Sequence, residues 1–159
     1  MEEKYKYVDL SYLEGIADGD KSIVKELVEI FLDQMPEFTD GFDESLKDKN
    51  WLKIAAIAHK AKSSVVSMGM NDLGNNDLKN LELLAKQLRV IELKRKDSVT
   101  EAQKDEIIVL EKNFEGYPED RIKWVRANAN LSELENLIEK FNDICEKAKE
   151  ELDHVVSTY

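Results

Sequence analysis

Apolar residues recur at alternating intervals of three and four through Leu131, Leu134, Ile138, Phe141, Cys145, Ala148 and Leu152. At about 100° per residue this set lines one stripe of an α-helix, and such a stripe must be buried against other elements. The remainder of the chain is equally poor in turn residues. Pro36 and Pro118 are the two prolines, and six glycines complete the punctuation of 159 residues. That scarcity favours long helices over the many turns of an all-β protein.

Helix signals divide the chain further. Asp9 caps a short helix over about 11–17, which Gly19 ends. Asp20 opens a second helix with Ile23, Leu27, Ile30 and Phe31 on its apolar face; Pro36 interrupts or kinks it, and the pattern resumes through Phe38, Phe42 and Leu46. Asn50 caps a helix over 51–68 that stops at Gly69, followed by helices over about 77–96 and 100–114. A short helix follows Pro118, whose missing N–H suits a first turn, and the periodic helix closes the chain. The expected fold is all-α, an antiparallel up-down four-helix bundle with a short N-terminal helix. Residues 1–159 read as one domain. The more polar stretch 90–130, broken at Gly116-Tyr117-Pro118, reads as an inserted helical segment before the last helix.

Charge narrows the partners. With 34 acids against 23 Lys and Arg the net charge is −11, which opposes sequence-independent binding of nucleic acid and docking on anionic membranes. The start, Met1-Glu2-Glu3-Lys4-Tyr5-Lys6-Tyr7, has no apolar signal region, and the longest apolar run is Ile54 to Ala58. A cytoplasmic protein is expected. Cys145 is the single cysteine, so no internal disulfide forms; it reads as a small buried hydrophobe.

The fourth helical stretch, 51–68, carries the chemistry. Ile54, Ile57, Ala58, Ala61, Val65 and Met68 fall within about 100° of arc as its core stripe, and His59 points about 140° away from it. On the same outer side lie Leu52, Ala55, Ala56, Lys62, Ser63 and Val66, a small and partly apolar patch suited to a partner. From Lys47 to Lys62 there are five lysines against one acid, Asp48, in a chain of opposite overall sign. Lys62, one turn after His59, is placed to neutralise an anion carried by the imidazole. The competing reading is a solvated basic stretch with an incidental surface histidine.

The segment AHKAKSSVVSMG, Ala58 to Gly69, resembles the histidine phosphotransfer domain family. It follows the A-H-x-x-K-G-S-x-x-x-x-G pattern at Ala58, His59, Lys62, Ser64 and Gly69. VDLSYLEGIADGDKSIVKELVEIFLDQMPEFTDGF is similar to the family's opening, and 131–155 to its closing helix. The resemblance implies that His59 is the phosphoacceptor, that Lys62 helps hold the phosphoryl group, and that Gly69 ends the helix. Ser63 stands where the family has glycine, small enough for close approach and able to hydrogen-bond a phosphoryl oxygen. The family often has Glu or Gln on the facing helix. Glu82 is the nearest candidate, but it falls one residue late; a local insertion within Gly74-Asn75-Asn76-Asp77 would be needed, and a plain surface glutamate is the expected reading.

The function implied is that of a phosphorelay intermediate. His59 would take a phosphoryl group from the aspartyl phosphate of a receiver domain and pass it to another receiver. Response-regulator receivers and a hybrid histidine kinase are the implied partners, and a monomer is the implied state. The chain itself needs no cofactor, the Mg²⁺ belonging to the receiver. Neither G-x-G-x-x-G nor G-x-x-x-x-G-K occurs, so phosphorylation from ATP is not expected. A carboxylate-bridged metal site is disfavoured, since neither His59 nor His154 has a Glu three residues earlier. Ser63 and Ser64 sit mid-helix without the strained turn of a Ser–His nucleophile. The alternative function is a helical adaptor that binds partners without chemistry.

Overall fold

The computed structural model describes residues 5–159; the charged start Met1-Glu2-Glu3-Lys4 lies outside the described residues. Among the described residues the fold is all-α, with no strand. The elements are α1 (Ser11–Ile16), α2 (Lys21–Lys47), α3 (Trp51–Ser67), a π-helix (Leu73–Leu78), α4 (Lys79–Lys94), α5 (Glu101–Phe114), α6 (Glu119–Asn128) and α7 (Leu131–Thr158).

The helix starts follow the side chains that cap them. Asp20 accepts from the Ser22 amide at 2.9 Å, Asn50 from Lys53 at 3.2 Å and Asn130 from Glu133 at 2.8 Å. Thr100 and Gln103 form a reciprocal capping box. Asp9 is not the cap expected of α1, whose N-cap position is Leu10 with no side-chain cap; it accepts from the amide and hydroxyl of Ser11, and these bonds hold its carboxyl below the usual carboxylate range. At the other end of α3, Gly69 adopts φ +85°, so that its N–H reaches the Val66 carbonyl and the Met70 N–H reaches that of Val65.

Pro36 does not break α2, contrary to the sequence expectation. Its missing N–H and ring clash cost about 3 kcal/mol in a helix interior. Phe31, Met35, Phe38 and Phe42 are buried on both sides of it, and each large buried side chain contributes roughly 1.5–3 kcal/mol. Burial outweighs the lost hydrogen bond, and the helix continues. The buried stripe is also turned from the expected one: Val24 and Val28 face the core, while Ile23 and Ile30 are exposed.

Helix α3 lies between α2 and α4, and α7 closes against both α2 and α4. Phe42 and Phe141 meet edge to face at 5.1 Å between ring centroids, joining α2 to α7 at the centre of the core. All seven periodic residues of α7 except Leu131 are buried. Helices α5 and α6 pack on α4. Trp51 joins the core cluster that holds Phe38 and Phe42, and Trp124 of α6 packs half-buried against it. Tyr5 and Tyr7 are half-buried, whereas Tyr12 is 59% exposed. No helix among the described residues is long and apolar enough to cross a membrane.

The N-terminal segment is strapped across the ends of two helices. Glu151 of α7 accepts from the amides of Lys6, Tyr7 and Val8, and the Asp9 amide donates to the Met68 carbonyl at 2.9 Å. The strap crosses directly over Gly69, where an added Cβ would lie 2.4 Å from the Asp9 carbonyl oxygen.

Two outcomes follow. Gly69→Ala combines a left-handed backbone with a clash against main chain, so thermal or urea unfolding should register a loss of about 3 kcal/mol or more. Cys145 is buried in α7, and that burial pushes its thiol up to about 12. A thiol-specific reagent monitored by mass spectrometry should leave the native protein unmodified and label it stoichiometrically in denaturant.

Candidate functional site

The site is built where α3 and α4 face one another. Small residues make the approach possible: Ala55, Ala58 and Ala61 of α3 are all buried. His59 lies at the edge of this contact with 69% of its side chain exposed, whereas the Glu82 side chain opposite is 4% exposed. Their hydrogen bond, Nδ1 to Oε1, measures 2.8 Å. A carboxylate only accepts, so in a neutral ring this pairing puts the proton on Nδ1 and leaves the Nε2 lone pair free.

Glu82 is therefore not the plain surface glutamate expected. The one-residue offset is absorbed by the π-helix Leu73–Leu78, whose wider turn takes in an extra residue before α4 resumes. The sequence LGNNDL spans the Gly74-Asn75-Asn76-Asp77 stretch where an insertion was required. Gly74 lets this wide turn lie against α3. A Cβ there would fall 2.4 Å from Val66 Cγ2 and 2.9 Å from the Lys62 carbonyl oxygen.

Other charges surround the pair. Lys86, one turn along α4, places Nζ 3.7 Å from the same Glu82 oxygen. The link between α5 and α6 approaches from the other side. Burial raises the Tyr117 hydroxyl, the Glu82 charge raises it further, and Arg121 opposes. Lys62 is half-buried on α3 and, like Lys60, enters none of the ion pairs among the described residues. Ser63 is exposed; its hydroxyl leans on the Lys60 carbonyl at 3.4 Å, a weak bond that leaves it available.

The expected docking patch is partly revised. Leu52 and Ala56 are exposed and Val66 is half-buried beneath Gly74, but Ala55 is only 4% exposed and belongs to the core. The single-stripe wheel assumed that α3 buries one face. Two helices flank it, so its buried arc extends around to Ala55, while Ile57 is only half-buried.

One feature escaped the sequence reading. A groove of about 230 Å³ runs beside the outer face of α3, lined by Tyr12, Leu13, Ile16, Leu27, Ile30 and Phe31 together with Gln34, Ser64, Ser67 and Met68. Tyr12, Ile16 and Ile30 stand exposed on its rim. Its signal was present in Ile23 and Ile30, apolar residues on the solvent side of α2 once the buried stripe is set by Val24, Val28 and Phe31. Among the described residues no group of three His, Cys, Asp or Glu side chains is placed to hold a metal ion.

Against this geometry, comparison with known proteins finds one informative similarity. The chain is 31% identical over 58 residues to the phosphorelay intermediate protein YPD1 of Candida albicans, a match covering 36% of this chain and 32% of that protein. The chain thus spans about a third of the length of the curated relative it matches. No family model and no solved structure matches the chain.

The close fit of Gly74 is testable at His59 itself. Gly74→Ala should push the π-helix off α3, costing about 1–3 kcal/mol as an overpacked contact. The imidazole ¹⁵N shifts should lose the Nδ1–H signature that the Glu82 bond imposes, while far-UV circular dichroism still shows a folded helical protein.

Proposed function

We propose that the chain is a histidine phosphotransfer protein, a relay that carries a phosphoryl group on His59 between receiver domains. In this reading α2, α3, α4 and α7 are an antiparallel four-helix bundle, and α5 and α6 are an insertion within a single domain spanning 1–159. The observation that carries it is the pairing of an exposed imidazole with a buried carboxylate. Burying an ionised Glu costs several kcal/mol unless it is well paired, and an incidental surface histidine requires no such partner. That asymmetry favours the relay over a helical adaptor that only binds.

The chemistry needs little from this chain beyond position and charge. Nε2, unprotonated on an exposed ring, attacks the phosphorus of a receiver's aspartyl phosphate in line. Lys62 approaches the phosphoryl oxygens as a cation, and Ser63 admits the partner closely and offers a hydroxyl. The acidic residues and Mg²⁺ of the reaction belong to the receiver, so this chain needs no cofactor. Leu52, Ala56 and Val66, with the neighbouring groove edged by Tyr12, Ile16 and Ile30, supply apolar surface for docking. The partners proposed are response-regulator receivers and a hybrid histidine kinase, met by a monomer in the cytoplasm. The similarity to a protein named a phosphorelay intermediate supports the same reading.

Incubation with a phosphorylated receiver tests it. Wild-type protein should acquire an acid-labile, base-stable label, and His59→Gln should acquire none. Lys62→Ala should be labelled roughly 10- to 100-fold more slowly with unchanged helicity. An unlabelled wild-type protein across several receivers would leave the adaptor reading standing.

A further inference from the structure

The partner of His59 is a carboxylate, and that choice bears on the phosphorylated state. The inference rests on the relay reading above. In the acceptor step the Nε2 lone pair forms the N–P bond while the acyl phosphate P–O bond breaks, its electron pair returning to the receiver's aspartate. Nδ1 keeps its proton, so the phosphorylated ring is a cation. A carboxylate oxygen 2.8 Å from Nδ1 favours that cation, because removing the proton would set a ring lone pair against an anionic oxygen. An amide in the same place could turn its NH₂ towards a bare Nδ1 and favour the neutral ring.

The distinction decides leaving-group quality. When the N–P bond of the cationic form breaks, its pair returns to Nε2 and the ring departs as neutral imidazole with Nδ1–H in place. The neutral form would have to expel an imidazolate. We infer that Glu82 holds phosphorylated His59 in its Nδ1-protonated form and thereby acts as the positioning residue that sets how readily the phosphoryl group leaves.

The surrounding charges fit this role. Lys86 of α4 sets a cation 3.7 Å from the same Glu82 oxygen that meets the ring, farther away than the 2.8 Å imidazole contact. Lys60 and Lys62 flank His59 on α3, and Tyr117 and Arg121 approach from the α5–α6 side. Asp77 of the π-helix is taken by Lys140 of α7 and Glu106 of α5 by Arg89, so neither competes for the imidazole.

The test uses the full chain and its isosteric variant Glu82→Gln. Both are labelled by an acetyl-phosphate-charged receiver domain, separated from it, and followed for phosphoryl loss between pH 5 and pH 8 by ³¹P NMR. At pH 8 the variant should lose phosphate about tenfold more slowly, the step expected when a charge-assisted hydrogen bond is replaced by a neutral one. The gap should close towards pH 5, where solvent protonates the ring in both proteins. Circular dichroism and thermal melting of the variant guard against a folding defect, and a merely structural role for Glu82 would not produce a pH-dependent gap. Equal rates at every pH, a gap that does not depend on pH, or faster loss from the variant would overturn this inference while leaving the relay intact. Failure of both proteins to take label at His59 would overturn the relay reading, and this inference with it.

Discussion

The hydrogen bond from His59 to Glu82, 2.8 Å between a solvent-facing ring and a buried carboxylate, constrains much of the surrounding architecture. A lone carboxylate at that depth is costly, so it must be met by donors or cations. The imidazole Nδ1 at 2.8 Å and the Lys86 ammonium at 3.7 Å both meet its Oε1. In a neutral ring the bond selects the Nδ1–H tautomer, and it orients the imidazole towards a carboxylate buried at the α3–α4 contact. An exposed histidine free of such a partner would sample several rotamers and both neutral tautomers.

Bringing Glu82 to that point depends on backbone features some distance from it. Alanines at 55, 58 and 61 let α4 approach α3, and Gly74 lets the π-helix lie against the Lys62 and Val66 turn. The π-helix adds one residue to the path and thereby rotates all of α4 by about one position of the helical wheel. With a plain α-helical turn, the residue aimed at His59 would be a neighbour of Glu82. A single wide turn therefore determines which side chain meets the imidazole, and π-turns recur at functional sites for this kind of reason.

Most helix ends were legible in the sequence because they depend on local chemistry. Asp20, Asn50, Thr100 and Gly69 act at their own positions, and the α7 stripe repeats over many turns. What could not be read depended on competition between distant groups. Pro36 looked like a break because its cost is local, whereas the burial of Phe31, Met35, Phe38 and Phe42 that overrides it is tertiary. Ala55 looked exposed because a wheel with one stripe has no knowledge of a second flanking helix. The site itself divided along the same line. His59, Lys62 and Ser63 lie on one helix and could be placed from spacing. Glu82 lies across an interface, and its register depended on a turn type that the residues LGNNDL permit without dictating.

The distribution of charge follows from the same geometry. The stretch 131–154 carries eight acids against three lysines, while 47–62 carries five lysines against Asp48. Acids on α7 are separated from the His59 face by the core, so they contribute to the net −11 without filling the space in front of the imidazole. Among the described residues the acid hydrogen-bonded to His59 is Glu82, and it meets Nδ1, not Nε2. Lys60 and Lys62 lie on the same helix as His59 and enter none of the ion pairs among the described residues. A buried carboxylate against an exposed imidazole, with lysines on the same helix, sets a locally basic face on an acidic scaffold.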